Sequence, residues 1–184
     1  MRSSAALEQQ QQVLTPLQDE LDSESAVSWP AVWSGSFVTV AFTFVFFLLG
    51  SGLGWGPASW QNEALHFSAA AATWLIVTQW LSSGLGGYVT GRLRTKWAGV
   101  HTHEVFFRDT AHGLLTWAIA TVFYTTLVLF VTSSVSTVPS APDIFSQPAT
   151  VSLYTALAMF VGAFISCIAS ALGGLERDEK RPLL

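Results

Sequence analysis

Charge divides most of this chain into four uncharged stretches: residues 25–62, 64–91, 110–142 and 144–175 contain no Asp, Glu, Lys or Arg. Each is longer than the ~20 residues that a helix rising ~1.5 Å per residue needs to cross ~30 Å of hydrocarbon. Charged residues make up only 11% of the chain, against about 25% in an ordinary soluble protein, so the apolar excess requires a surrounding other than water. The expected fold class is all-α: a polytopic membrane protein forming a four-transmembrane-helix bundle with both termini cytoplasmic.

Aromatic rings and loop chemistry set the expected limits of the spans. The first, about 31–55, opens at Trp29 and Trp33 and closes at Trp55 and Trp60, rings suited to the headgroup level. The second, about 64–91, is stopped by Arg92, Arg94 and Lys96. The third, about 110–134, is preceded by an amphipathic turn from Glu104 and fades into Ser133, Ser134, Ser136 and Pro139. The fourth covers about 149–174. Flanking this 29–175 domain, residues 1–28 read as a disordered polar cytoplasmic tail, with no apolar core of a cleavable signal, and 176–184 as a charged cytoplasmic tail. Arg92, Arg94, Lys96 and Arg108 lie around the middle loop, Arg177, Lys180 and Arg181 in the C-terminal tail and Arg2 in the N-terminal one. The positive-inside bias therefore places both tails and the middle loop in the cytoplasm.

Composition also excludes function classes. A formal charge of −4 with eight basic residues offers no electrostatic footprint for nucleic acid. The single cysteine, Cys167, permits no disulfide framework and no cysteine zinc site. His66 and His112 fall at opposite ends of their spans and cannot share a haem iron. The glycines at 52–54 and 84–87 follow no strand, so they cannot form a dinucleotide loop. Neither a catalytic triad nor a carboxylate dyad is recognisable, and the expectation is a protein that is not an enzyme and holds no metal or cofactor.

Small residues recur at every fourth position: Gly50 and Gly54 at the end of the first span, Ser83, Gly87 and Gly91 in the second, and Gly162, Ser166, Ser170 and Gly174 in the fourth. In lipid, helices meet by close backbone approach across such faces, so these nine residues are the expected packing positions, within one chain in preference to between copies. Gln79, the amide well inside a span, needs a Ser or Thr partner. A faint internal repeat pairs Leu81–Gly87 (LSSGLGG) with Ile168–Gly174 (IASALGG), as a duplicated two-helix hairpin would.

The polar segment between the second and third spans carries the candidate functional cluster: His101, His103, Glu104, Arg108, Asp109 and His112. On a helix Glu104, Arg108 and His112 share one face at i, i+4 and i+8, and Asp109 can reach His112 at i+3. The structural reading is a salt-bridged turn anchoring the third span. The functional reading is metal or proton handling. Arg108 on the same face and the lack of His-Glu-x-x-His spacing oppose a metal.

The run Trp74 to Thr121, WLIVTQWLSSGLGGYVTGRLRTKWAGVHTHEVFFRDTAHGLLTWAIAT, resembles a family of uncharacterised proteobacterial inner-membrane proteins sometimes labelled PhnA-like. The resemblance extends more loosely over residues 29–175 and implies fold and a bacterial inner-membrane location, with no activity. Proteins properly called PhnA carry a cysteine zinc ribbon, which Cys167 alone cannot build. Where members commonly have an acidic residue before Glu104, this chain has His103. The expected function is a non-enzymatic scaffold or accessory subunit, partnered by the bilayer and by a homo-oligomer or larger membrane complex. The alternative is a small-solute transporter or channel formed by a homo-oligomer.

Overall fold

A computed structural model describes residues 27–55, 69–95, 102–134 and 149–179. They form four helices: α1 (Trp29–Gly52), α2 (Ala69–Leu93), α3 (Thr102–Ser134) and α4 (Ala149–Glu179). Residues 1–26 of the expected N-terminal tail, His66, His101 and residues 56–68, 96–101 and 135–148 of the connections lie outside the described residues.

Pro30 sits in the first turn of α1, where a missing N–H costs nothing. At its other end the helix gives way at Gly52, three residues before the expected Trp55, and Gly54 takes φ 78°. That left-handed conformation suits glycine and closes the helix as the Trp55 N–H donates back to the Gly50 carbonyl at 2.8 Å. Two other helices outrun their expected limits at the charged end. α3 begins at Thr102, ahead of residue 110, and α4 continues to Glu179, into the first four residues of what the sequence suggested was a separate tail. Tertiary bonds prolong α4: Glu176 accepts from the Tyr88 hydroxyl at 2.8 Å and Asp178 accepts from Arg94 at 3.0 Å.

α2 packs against all three other helices, most extensively against α4, while α1 and α4 occupy opposite corners and scarcely touch. The chain runs up, down, up, down. His112 near the start of α3 meets Ser28 at the start of α1, and Arg94 at the end of α2 meets both Asp109 of α3 and Asp178 of α4.

The bundle is inverted relative to a water-soluble one. The buried apolar residues are Ala31, Val32, Ala120, Ala158 and Ala171, whereas the buried polar set includes Ser36, Thr39, Thr78, Ser82, Ser83, Thr90, Thr116, Ser166 and Ser170. Phe160, Leu153 and Leu48 are 77%, 71% and 69% exposed. Exposing such side chains to water would forfeit roughly 1.5–3 kcal/mol each, so the surface is made for lipid. α1, α3 (over His103–Phe130) and α4 (over Ser152–Glu179) are long and apolar enough to cross a membrane: the chain is a membrane protein. α2, expected to be a fourth such span, is 25 residues long but more polar, because Thr78, Ser82, Ser83 and Thr90 turn inward as the polar centre of the bundle.

Hydroxyls bridge the helices at this centre. The Thr90 hydroxyl donates to the Gly86 carbonyl at 2.9 Å, so the Thr116 hydroxyl, 2.8 Å away, must donate to Thr90 and tie α3 to α2. The Ser36 hydroxyl of α1 shares its proton between the Val32 carbonyl at 2.8 Å and the Thr116 carbonyl of α3 at 3.1 Å, and Ser166 of α4 donates to the Gly113 carbonyl of α3 at 2.8 Å. Interhelical bonds of this kind contribute about 0.6–2 kcal/mol each in membranes.

The small-residue faces lie inside the bundle. A side chain at Gly87 would strike the Ser166 backbone, one at Gly91 would strike Ser170 and Gly174, and one at Gly162 would reach Gln79 Cγ at 2.8 Å. Ser83, Ser166 and Ser170 are fully buried. Gly50 makes room for Trp74, whose indole N–H donates to the Phe46 carbonyl at 3.0 Å. Gly54 is the exception: nothing lies within 4 Å of a side chain built there, so it serves the turn and not packing. The repeated segments in α2 and α4 have matching phases, with Leu81 and Ile168 outward, Ser83 and Ser170 inward, and both Gly-Gly pairs buried.

Candidate functional site: a buried ionic cluster at the charged end

Arg94 follows directly on the last residue of α2, and its side chain is fully buried. The residue continues the inward stripe Ser83, Gly87, Thr90, Gly91 by one further turn, so the guanidinium enters the bundle and not the surrounding water. Its Nε and Nη2 face the two oxygens of Asp109 in a bidentate pair, Nη2 lying 2.9 Å from Oδ2. Nη2 also donates to Asp178 Oδ2 at 3.0 Å, and Nη1 to the Thr95 carbonyl at 3.1 Å. One guanidinium thereby joins α2, α3 and α4. The planar fork suits this geometry as an ammonium would not. The cation also sits where α2 and α4 end, and helix C-termini favour positive charge.

Gly174 brings the cluster against α4. A Cβ at that position would collide with the Asp109 carboxylate and come within 3.0 Å of Arg94 Nη2. Asp178, with a side chain 30% exposed, is the one member that meets the surface.

His112 is a second buried polar group, one turn further into α3 than Asp109. Its Nε2 accepts the Ser28 N–H at 2.8 Å, and its Nδ1 lies 2.6 Å from the Arg108 carbonyl. Because Nε2 accepts, the ring proton belongs on Nδ1, where it donates to that carbonyl. Both ring nitrogens are thus engaged, and the imidazole fastens the beginning of α1, where Ser28 offers no side-chain cap, to α3.

The six residues singled out from the sequence therefore do not form one site. His101 is outside the described residues, and His103 is exposed. Glu104 and Arg108 form a surface pair, Oε1 to Nε at 2.8 Å. Asp109 and His112 turn inward, and no hydrogen bond joins them: Asp109 is taken up by Arg94, and His112 by Ser28 and Arg108. Glu104, Arg108 and His112 follow one another along α3 at the expected spacing, but His112 is taken inward by Ser28 at the start of α1 and Asp109 by Arg94, so the expected Asp109–His112 hydrogen bond does not form. The inward side of α3 faces Arg94, and the outward side faces headgroups or water. Among the described residues no three of His, Cys, Asp and Glu come together in a way that would hold a metal ion.

Two members of the cluster, Arg94 and Asp178, were missed as site residues. Arg94 read as a membrane stop beside Arg92 and Lys96, and Asp178 as part of a solvated tail. A signal was present in the spacing: Asp178 follows Ser170 and Gly174 at i+8 and i+4, as Arg94 follows Gly87 and Thr90 at i+7 and i+4. Gln79 finds a serine partner, though on its own helix. Its amide reaches Ser83 at a long 3.4 Å while its stem packs over Gly162, so it adds little hydrogen bonding between helices.

The chemistry available to this end of the bundle is electrostatic fastening. The described polar atoms of Arg94, Asp109 and His112 point at protein partners. Comparison with known proteins gives no match: no family model, no curated protein and no solved structure corresponds to the chain, and the resemblance of residues 74–121 stays an expectation of the sequence.

Proposed function

We propose that this protein is a non-enzymatic scaffold or accessory subunit of a bacterial inner-membrane assembly, with four membrane crossings and both tails on the cytoplasmic side. The observation that carries the reading is the Arg94–Asp109–Asp178 cluster, in which buried charge is spent on locking three helices together and not on presenting a reactive group. For the crossings, α2 spans roughly 37 Å at ~1.5 Å per residue, enough for ~30 Å of hydrocarbon, and it lies antiparallel between its neighbours. For the orientation, Arg92, Arg94 and Arg108 lie at the same end of the bundle as Arg177, in keeping with a positive-inside arrangement.

Because the small-residue faces are occupied within the chain, a partner subunit has to dock on the large apolar side chains outside or on the segments that connect and flank the helices. A channel built from several copies would need polar side chains on the outside of the bundle to line it. The outside is dominated by Phe, Leu, Trp and Val, with Thr125, Thr126, Ser152 and Thr155 scattered among them, while Ser82, Ser83, Thr90 and Thr116 face the centre of a single chain. The test is purification of the tagged full-length protein from its native membrane in mild detergent, with native mass determination and identification of co-purifying chains. A stoichiometric partner is expected. A monodisperse monomer with no partner overturns the reading.

A further inference from the structure

His112 differs from the other buried groups at the charged end because an imidazole can change its charge near neutral pH. The residue is 1% exposed. Its Nδ1 proton is committed to the Arg108 carbonyl at 2.6 Å, which leaves the Nε2 lone pair as the basic site of the ring. That same lone pair accepts the Ser28 N–H at 2.8 Å. A proton arriving at Nε2 would set two N–H donors against each other with no acceptor between them.

Ser28 is where the chain enters α1. Its carbonyl accepts the Ala31 and Val32 N–H groups at 3.1 Å and its side chain makes no cap, so the bond from His112, 84 positions away, fastens this first turn to α3 where no cap does. The unpaired N–H groups of a helix start also repel a cation. The charges around the ring favour proton uptake once the contact opens. α1 brings none, since no charged residue occurs from 25 to 62. α2 brings Arg94, α4 brings Asp178, and α3 itself carries Asp109 and the Glu104–Arg108 pair. Arg94 against Asp109 and Asp178 leaves one negative charge in excess, and Asp109 is near enough to act electrostatically on the ring. The other charged residues described on α2 and α4, Arg92, Glu176, Arg177 and Glu179, balance one another, and the Tyr88 hydroxyl is turned to Glu176. Cys167 of α4, whose backbone backs Gly113, carries a thiol, a group that is uncharged in acid.

We infer that His112 is a pH-sensitive latch: the neutral ring holds the start of α1 against α3, and uptake of a proton from water at Nε2 breaks the bond to the Ser28 N–H and releases that start. The neutral ring is the form that accepts, so the latch is closed at high pH and opens as pH falls. An imidazole in water titrates near ~6.5. Where the released ring alone takes the proton, the open form gains roughly thirtyfold between pH 7.5 and pH 5.0. Release is confined to the first two turns, because the Ser36 hydroxyl holds α1 to the Thr116 carbonyl of α3 beyond them and does not titrate.

The test is hydrogen exchange of the full-length protein in phosphatidylcholine nanodiscs at pH 7.5 and pH 5.0, either side of the imidazole range, with each rate scaled to the intrinsic rate at that pH. Protection over residues 28–32 is expected to fall roughly ten- to thirtyfold at the lower pH, while residues 36–50 of α1 hold within about twofold. His112→Gln, whose amide oxygen can accept the Ser28 N–H but takes no proton, is expected to remove the fall. A triple variant, His66→Gln with His101→Gln and His103→Gln, leaves His112 as the one histidine of the chain and is expected to keep it. The triple variant does not touch the contact, so the test stands even where His112→Gln does not fold. Protection over residues 28–32 that is indifferent to pH, a fall that persists in His112→Gln, a fall that vanishes in the triple variant, or one shared equally by residues 36–50 overturns the inference.

Discussion

Replacing Arg94 with Met retains much of the side chain's length but leaves Asp109, whose side chain is 2% exposed, without its bidentate partner in a medium that cannot solvate it. Removing one member of a buried ion pair typically costs 3–5 kcal/mol, because the charge left behind is uncompensated. For a chain of this size that corresponds to a fall in apparent melting temperature on the order of 10 °C. Replacing both partners, as Arg94→Met with Asp109→Leu, removes the stranded charge together with its counterpart. The double variant should therefore be more stable than Arg94→Met alone, as buried pairs exchanged for apolar residues often are. Asp178→Asn should cost much less, about 1 kcal/mol or below, because that carboxylate is 30% exposed and solvent screens it. Cys167, the only cysteine and partly buried in α4, makes the assay direct: a thiol-reactive fluorogenic dye reports the temperature at which the bundle opens. An Arg94→Met variant melting within a degree of the unmodified protein, or a double variant less stable than that single one, would refute the reasoning.

Three further outcomes follow from the same contacts. His112→Leu removes the acceptor of the Ser28 N–H and should raise hydrogen exchange at the start of α1 by about tenfold, reflecting a loss near 1–2 kcal/mol; unchanged exchange there would show that the bond does not hold the helix start. Gly91→Val drives a branched side chain into the Ser170 and Gly174 backbones and should cost about 3 kcal/mol, whereas Gly52→Ala, with nothing within 4 Å, should leave the melting temperature unchanged or slightly raised. Glu104→Ala breaks only the surface pair with Arg108 and should shift stability by no more than about 0.5 kcal/mol in the same dye assay.

The number and approximate place of the helices were legible because charge is absent from four long stretches, and the identity of the packing faces because glycine and serine recur at helical spacing. Their limits were less so. α3 and α4 extend into charged sequence because Asp109, Glu176 and Asp178 find partners on α2, and a partner on another helix leaves no trace in local composition. The candidate site was legible in part. Asp109 and His112 were singled out, but with the wrong neighbours, since a helical face read in isolation does not say which side meets α2. Arg94 was hidden by its setting among Arg92 and Lys96, where positive charge is expected at a membrane boundary for a different reason. The greater polarity of α2 was visible in Thr78, Ser82, Ser83 and Thr90, and only the packing explains it: the helix packed most extensively against the others can carry the polar groups that lipid would reject.

The central claim is a lipid-embedded bundle of four crossings whose ionic cluster lies at the cytoplasmic end. Single cysteines introduced into a Cys167→Ala background at Ser59, Ala98, Ser140 and Leu183, followed by labelling of intact cells and of inverted vesicles with a membrane-impermeant maleimide, test it most directly. The account predicts that cysteines at Ser59 and Ser140 react from outside intact cells and those at Ala98 and Leu183 react only in inverted vesicles. Labelling of Ala98→Cys and Ser59→Cys from the same side would mean that α2 does not cross the membrane and would contradict it.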